Sequence, residues 1–139
     1  MHLIAALAAL AAYAPILSGD SYSISWEVPE LVTLRGPGDA AVGLSAEGCG
    51  FCGGNGDVLL PELNMYLPVP PGSSPVLSVE PSGIAPAGIE SVSRALPSNG
   101  GTVFEAAPLS DLPDAWGELA DVTSFRGFSL ARVCIHPVI

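Results

Sequence analysis

Lysine is missing from this chain. Arg35, Arg94, Arg126 and Arg132 are its whole complement of fixed positive charge, set against 14 Asp and Glu, for a net charge of -10 over 139 residues. Nucleic-acid binding draws its affinity from basic side chains that release phosphate counterions, and anionic lipid headgroups attract the same side chains. A chain this acidic repels both, so neither nucleic acid nor, once any leader is removed, a membrane is expected as a partner. Long apolar runs are also lacking: the main one, residues 3–12, falls short of the about 20 residues that a spanning helix needs.

Residues that carry chemistry are few. There are two histidines, His2 and His136, and three cysteines, Cys49, Cys52 and Cys134. No Ser-His-Asp set, phosphate-binding glycine loop or paired-carboxylate signature stands out. Asp57, Glu62, Asp111, Asp114, Glu118 and Asp121 read as solvated loop and edge charges rather than acid/base pairs. The chain is therefore not expected to be an enzyme by itself, and no metal or cofactor is expected.

What is abundant is apolar and turn-forming. Hydrophobic residues make up 49%, mean hydropathy is +0.50, and 16 Gly and 14 Pro punctuate the chain. The length fits one domain of roughly 100–150 residues. Residues 3–12 read as the apolar part of an export leader, with Ala12-Tyr13-Ala14 as an A-x-A-like cleavage site and Pro15 favouring a cut one step earlier. His2 stands where such leaders usually carry Lys or Arg. Residues 1–18 are thus expected to be a signal peptide and residues 19–139 an exported domain, whether secreted, periplasmic or at the cell surface.

From residue 19 onward the pattern has period two. In "SYSISWEV" the residues Tyr22, Ile24, Trp26 and Val28 fall on one face and Ser21, Ser23, Ser25 and Glu27 on the other, the alternation of a half-buried strand. Further short strands are predicted at "LVTL" (31–34), "AAVGLS" (40–45), "VLSVE" (76–80), "IESVSRAL" (89–96), "TVFEA" (102–106) and "FRGFSLARVCIHPV" (125–138). Gly- and Pro-rich turns separate them, a spacing that predicts an all-β fold, an antiparallel β-sandwich of short strands. One helical turn is predicted within "LPDAWGELAD" (112–121), capped by Asp111 or Asp114.

Cys49 and Cys52 form a CxxC spacing beside a glycine-rich turn. A thioredoxin-like dithiol would need a βαβ setting and a zinc site a second CxxC; neither is present. A site built from Cys49, Cys52, Cys134 and His136 is arithmetically open, but a local disulfide between Cys49 and Cys52, or a bridge to Cys134, is the plainer reading in an exported chain. Cys134 then reads as a small buried hydrophobe. On composition and spacing alone the chain is an exported all-β binding domain.

From Gly48 onward the order of elements resembles the N-terminal propeptide of gingipain-type cysteine peptidases. Residues 48–56 supply a loop, "GDVLLP" (56–61) a Gly-x-Pro-x-Leu-Pro-like signature containing Leu60-Pro61, "ELNMYLPV" (62–69) a strand and "PPGSSPVLSVE" (70–80) the turn and exit. The second landmark is "FRGFSLARVCIHPVI" (125–139), with Arg126-Gly127 opening a strand and Pro137-Val138 ending it. Asp57-Val58 stands where the family usually has Pro. The resemblance spans about residues 21–139 and places Leu59, Leu60, Pro61, Met65, Leu67 and Val69 in the sheet packing, with Pro61 at an edge or bulge.

The resemblance implies a pro-domain that assists folding of a cysteine peptidase and blocks its cleft, its partner being the peptidase catalytic domain. A full precursor would be the endopeptidase. In members selective for basic residues a basic propeptide side chain is expected in the specificity pocket, and Arg94 is the candidate; it reads equally as a solvated strand charge. A competing loop is "APLSDLPDAWGELAD" (107–121), through Asp111, Asp114 or Trp116. Arg126 and Gly127 are expected to be structural. The alternatives are an exported structural or adhesion module without a peptidase partner, and a CxxC redox or metal protein.

Overall fold

The computed structural model describes residues 2–3, 16–51 and 58–139. Most of the expected leader with its cleavage site, Cys52, and Gly56-Asp57 lie outside them. The described strands are β1 (His2–Leu3), β2 (Ile16–Ser18), β3 (Ser21–Ser23), β4 (Val32–Arg35), β5 (Ala41–Ser45), β6 (Gly50–Phe51), β7 (Pro61–Val69), β8 (Pro81–Ser82), β9 (Ser93–Ser98), β10 (Gly101–Ala106), β11 (Gly117–Phe125) and β12 (Phe128–Ile135). Every ladder among them is antiparallel, and the only helical pieces described are 3-10 turns at Pro37–Asp39 and Leu109–Asp111. The fold is all-β, built from short antiparallel strands and Gly/Pro turns.

A four-stranded sheet in the order β11-β12-β7-β6 is the backbone of the domain. Along β7 the residues Leu63, Met65 and Leu67 are buried while Asn64, Tyr66 and Pro68 are exposed, the period-two outcome of a sheet with one covered face. Val133 and Ile135 of β12 join them and Trp26 in one apolar cluster, against which Tyr22, Ile24, Val28, Leu77 and Val79 pack. Each such side chain taken out of water contributes roughly 1.5–3 kcal/mol. The alternation predicted for Tyr22, Ile24, Trp26 and Val28 therefore holds in burial, although only Ser21–Ser23 is a ladder strand.

A second cluster holds Leu44, Val58, Leu60, Val92 and Val138, flanked by Leu31, Ile89, Ala107 and Leu112. The chain at Leu59 runs between two hairpins: its carbonyl accepts from the Leu44 N–H at 2.8 Å and its N–H donates to the Ser93 carbonyl at 3.0 Å. That close approach explains Gly43, where any Cβ would run into the backbone of Leu59.

Three predicted elements differ. Residues 76–80 alternate in burial, Leu77 and Val79 inward, but form no ladder; β9 begins only at Ser93. The turn of helix predicted within 112–121 is instead the start of β11, because residues from Gly117 onward pair with β12, Glu118 opposite Cys134 and Leu119 opposite Val133. Pairing and the packing of Leu119 on the first cluster override a local sequence with helical character.

Candidate functional site

The two family-like stretches come together in the central sheet. Strand β12 lies against β7 in continuous register from Ser129 opposite Val69 to Ile135 opposite Leu63. Pro61, fully buried, is the first residue of β7, a position that tolerates its missing N–H. Leu60 just before β7 and Val138 just after β12 share the second apolar cluster, and Pro137, which precedes Val138, is also fully buried. Arg126 and Gly127 form the two-residue turn joining β11 to β12, both at positive φ (50° and 82°), the hand that matches the twist of the flanking strands.

Arg94 is not the free side chain that the sequence suggested. It lies on β9, opposite Glu105 of β10 and bridged on its other side to Val58. Its guanidinium is ion-paired with Asp111, the side chains being 31% and 34% exposed, and its Nε is buried without a hydrogen-bond partner among the described residues. The two candidates weighed as competitors, Arg94 and the loop carrying Asp111, are thus a single unit. Of the other loop candidates, Asp114 is exposed and Trp116 is partly buried, its carbonyl accepting from the His136 N–H at 2.9 Å.

Asp111 ends the 3-10 turn Leu109–Asp111. Pro108 enters that turn in extended conformation (φ -67°, ψ 150°) and Leu112 leaves it extended (φ -78°, ψ 149°). The Asp111 N–H donates to the Pro108 carbonyl at 3.0 Å, the Leu112 N–H to the Leu109 carbonyl at 3.2 Å, and the Ala107 N–H to the Val92 carbonyl at 2.9 Å. The result is a short loop held at both ends.

Glu62, read from the sequence as a solvated charge, is buried. Its carboxylate accepts from the Asn64 side-chain amide at 2.6 Å and faces the His136 Nδ1 at 3.6 Å. Beside them the fully buried Cys134 thiol donates to Asn64 Oδ1 at 3.1 Å and receives Arg132 Nη2 at 3.6 Å. This polar row on the outward side of β7 and β12 was not predicted. Its only trace in the sequence is the register of Leu63, Met65 and Leu67, which puts residues 62 and 64 on the opposite face.

Among the described residues Cys49 and Cys134 are free thiols. Burial pushes the Cys49 thiol up to about 11. Burial also raises Cys134, more than the Arg132 hydrogen bond lowers it. A nucleophilic or redox thiol needs the opposite shift. The bridge to Cys134 left open by the sequence is not formed with Cys49, because the two lie unbridged on separate segments, and Cys52, the other expected partner, lies outside the described residues. Among the described residues an apolar groove of about 1100 Å³ runs between the inner face of the central sheet and residues 73–80, past Tyr22, Trp26 and Leu77.

Comparison with family models, curated proteins and solved structures finds no match to this chain.

Proposed function

We propose that the chain is the propeptide domain of a gingipain-type cysteine peptidase, exported with it, assisting the folding of the catalytic domain and closing its cleft until it is cut away. The observation that supports this reading is the pairing of the two family-like stretches as neighbouring strands, with Leu60 and Val138 closing one apolar cluster behind them. Segments so distant in the chain acquire a reason for their order if they are the paired inner strands of one scaffold. A rigid scaffold that holds an exposed loop loses little conformational entropy on docking. Its net charge of -10 complements a more basic catalytic domain. Catalysis in such a precursor belongs to the peptidase domain and not to these residues.

The test is inhibition and refolding in trans. The purified chain is mixed with the catalytic domain of a gingipain-type cysteine peptidase, and separately added while that domain refolds from urea. Lower peptidase activity in the first experiment and a higher yield of active enzyme in the second are expected. No effect in either, with no co-elution of the two proteins, would remove the reading. The second reading, an exported structural or adhesion module, is favoured by the apolar groove beneath residues 73–80, and it predicts that silent outcome.

A further inference from the structure

We infer that the apolar groove beneath residues 73–80 is the place of an absent strand: it accepts an extended peptide segment of another protein, apolar along its middle and basic at its ends, which pairs with the main chain of residues 76–80. The inference stands apart from the propeptide reading.

Residues 76–80 alternate as a strand does and lack a strand's partner. Leu77 and Val79 turn inward onto the first apolar cluster while Val76, Ser78 and Glu80 are exposed. No main-chain hydrogen bond joins these five to any other described residue. An unpaired row of N–H and C=O groups is a template for a further strand. One step along, the same edge already takes one: the segment continues into β8, and β1 pairs with it antiparallel, Leu3 opposite Pro81 and His2 opposite Ser82.

The space beside the segment has the volume of a strand. Neighbouring strands lie about 4.8 Å apart, packed sheets about 10 Å apart, and each residue advances about 3.4 Å, so the groove's volume of about 1100 Å³ matches a strand of about seven residues with its side chains. Met65, Leu67 and Val133 of the central sheet line it, with Tyr22 and Trp26. Alternate side chains of an added strand are buried against them, while its main chain supplies affinity through the ladder.

Charge selects the partner. Asp20 and Glu80, both exposed, are the only charged residues that line the groove among those described. With no cation on its walls it offers nothing to a fatty-acid carboxylate or a lipid phosphate, whereas a lysine or arginine at either end of an entering strand meets a carboxylate. The chain's own residues 4–15 contain no charged side chain, and a second copy brings a net charge of -10 toward the first. A basic-ended strand of another protein fits where these do not.

The experiment titrates the full chain into the fluorescein-labelled peptide KVTVTVTVK and reads anisotropy. Saturable binding is expected. The same peptide N-methylated at its valine and threonine amides cannot form the ladder and should bind at least about tenfold more weakly. Asp20→Lys with Glu80→Lys, changes at exposed positions, should weaken the lysine-ended peptide roughly fivefold and favour the glutamate-ended peptide EVTVTVTVE instead. Equal binding of the methylated peptide would mean apolar contact without a ladder and would overturn the inference, as would no binding of any peptide. Two outcomes overturn it in favour of another occupant. Binding only after residues 4–15 are replaced by a glycine-serine linker gives the groove to that segment, and a dimer that the peptide dissociates gives it to a second copy. None of these results bears on inhibition of a peptidase in trans, so the propeptide reading stands or falls separately.

Discussion

The Cys134 thiol donates a hydrogen bond to the Asn64 side-chain oxygen at 3.1 Å, between directly opposed residues of β12 and β7. The sulfur is wholly out of contact with water, and burial raises its pKa. Alkylation requires an accessible thiolate. Iodoacetamide at pH 8 should therefore leave Cys134 unmodified in the native chain and modify it after unfolding in urea, read by mass spectrometry. Rapid native modification would contradict the burial.

Cys49 supplies a pH dependence. Its pKa rises from an ordinary value of 9.0 to about 11 in the fold, so between those values the unfolded chain loses its proton first. Stability from keeping the thiol neutral is fully present below pH 9 and is lost as pH rises toward 11. With Cys49 as a free thiol, urea midpoints should fall over that window, and Cys49→Ala should fall less steeply. Equal slopes in the two proteins would refute the assignment.

Gly43→Ala should destabilise the chain by about 1–3 kcal/mol, because the added methyl meets the Leu59 backbone and one of the strands must shift. Gly50→Ala has open space around it and should be near neutral. Urea denaturation of the two variants side by side checks the close passage of the chain at Leu59; equal midpoints would sink it.

At the β11–β12 turn, Gly127 has φ 82°. Valine there should cost at least about 1–2 kcal/mol, the penalty of a left-handed backbone for a residue with a Cβ. The loss should appear as a lower thermal midpoint. An unchanged midpoint would mean that the turn adopts another form.

The all-β architecture was legible because alternation is a local signal: Tyr22, Ile24, Trp26 and Val28 declare an inward face without reference to the rest of the chain. Partnership was not legible. The stretch at 112–121 carries residues that suit a helix, and it becomes a strand only because β12 lies beside it. Residues 76–80 have strand alternation yet no strand to pair with. At the candidate site the same limit applied. Arg94 and Asp111 were each visible as charges near turns, but their pairing depends on β9 and the 3-10 turn meeting in space. Glu62 likewise shares a strand face with Asn64 by period two, but His136, which it also faces, comes from beyond the end of β12, where periodicity gives no sign of it.

The two apolar clusters are joined across short stretches of chain. Leu60 belongs to one and Leu63, on the strand that Pro61 begins, to the other; Ile135 and Val138 make the same passage after β12. Melting either cluster would pull directly on the main chain that holds the other, with no slack to absorb the movement. Hydrogen exchange should accordingly release the amides of β5 and β7 in one concerted opening. Force arriving at the braced loop, through Leu112, would be shared by the whole domain instead of being spent in a local rupture.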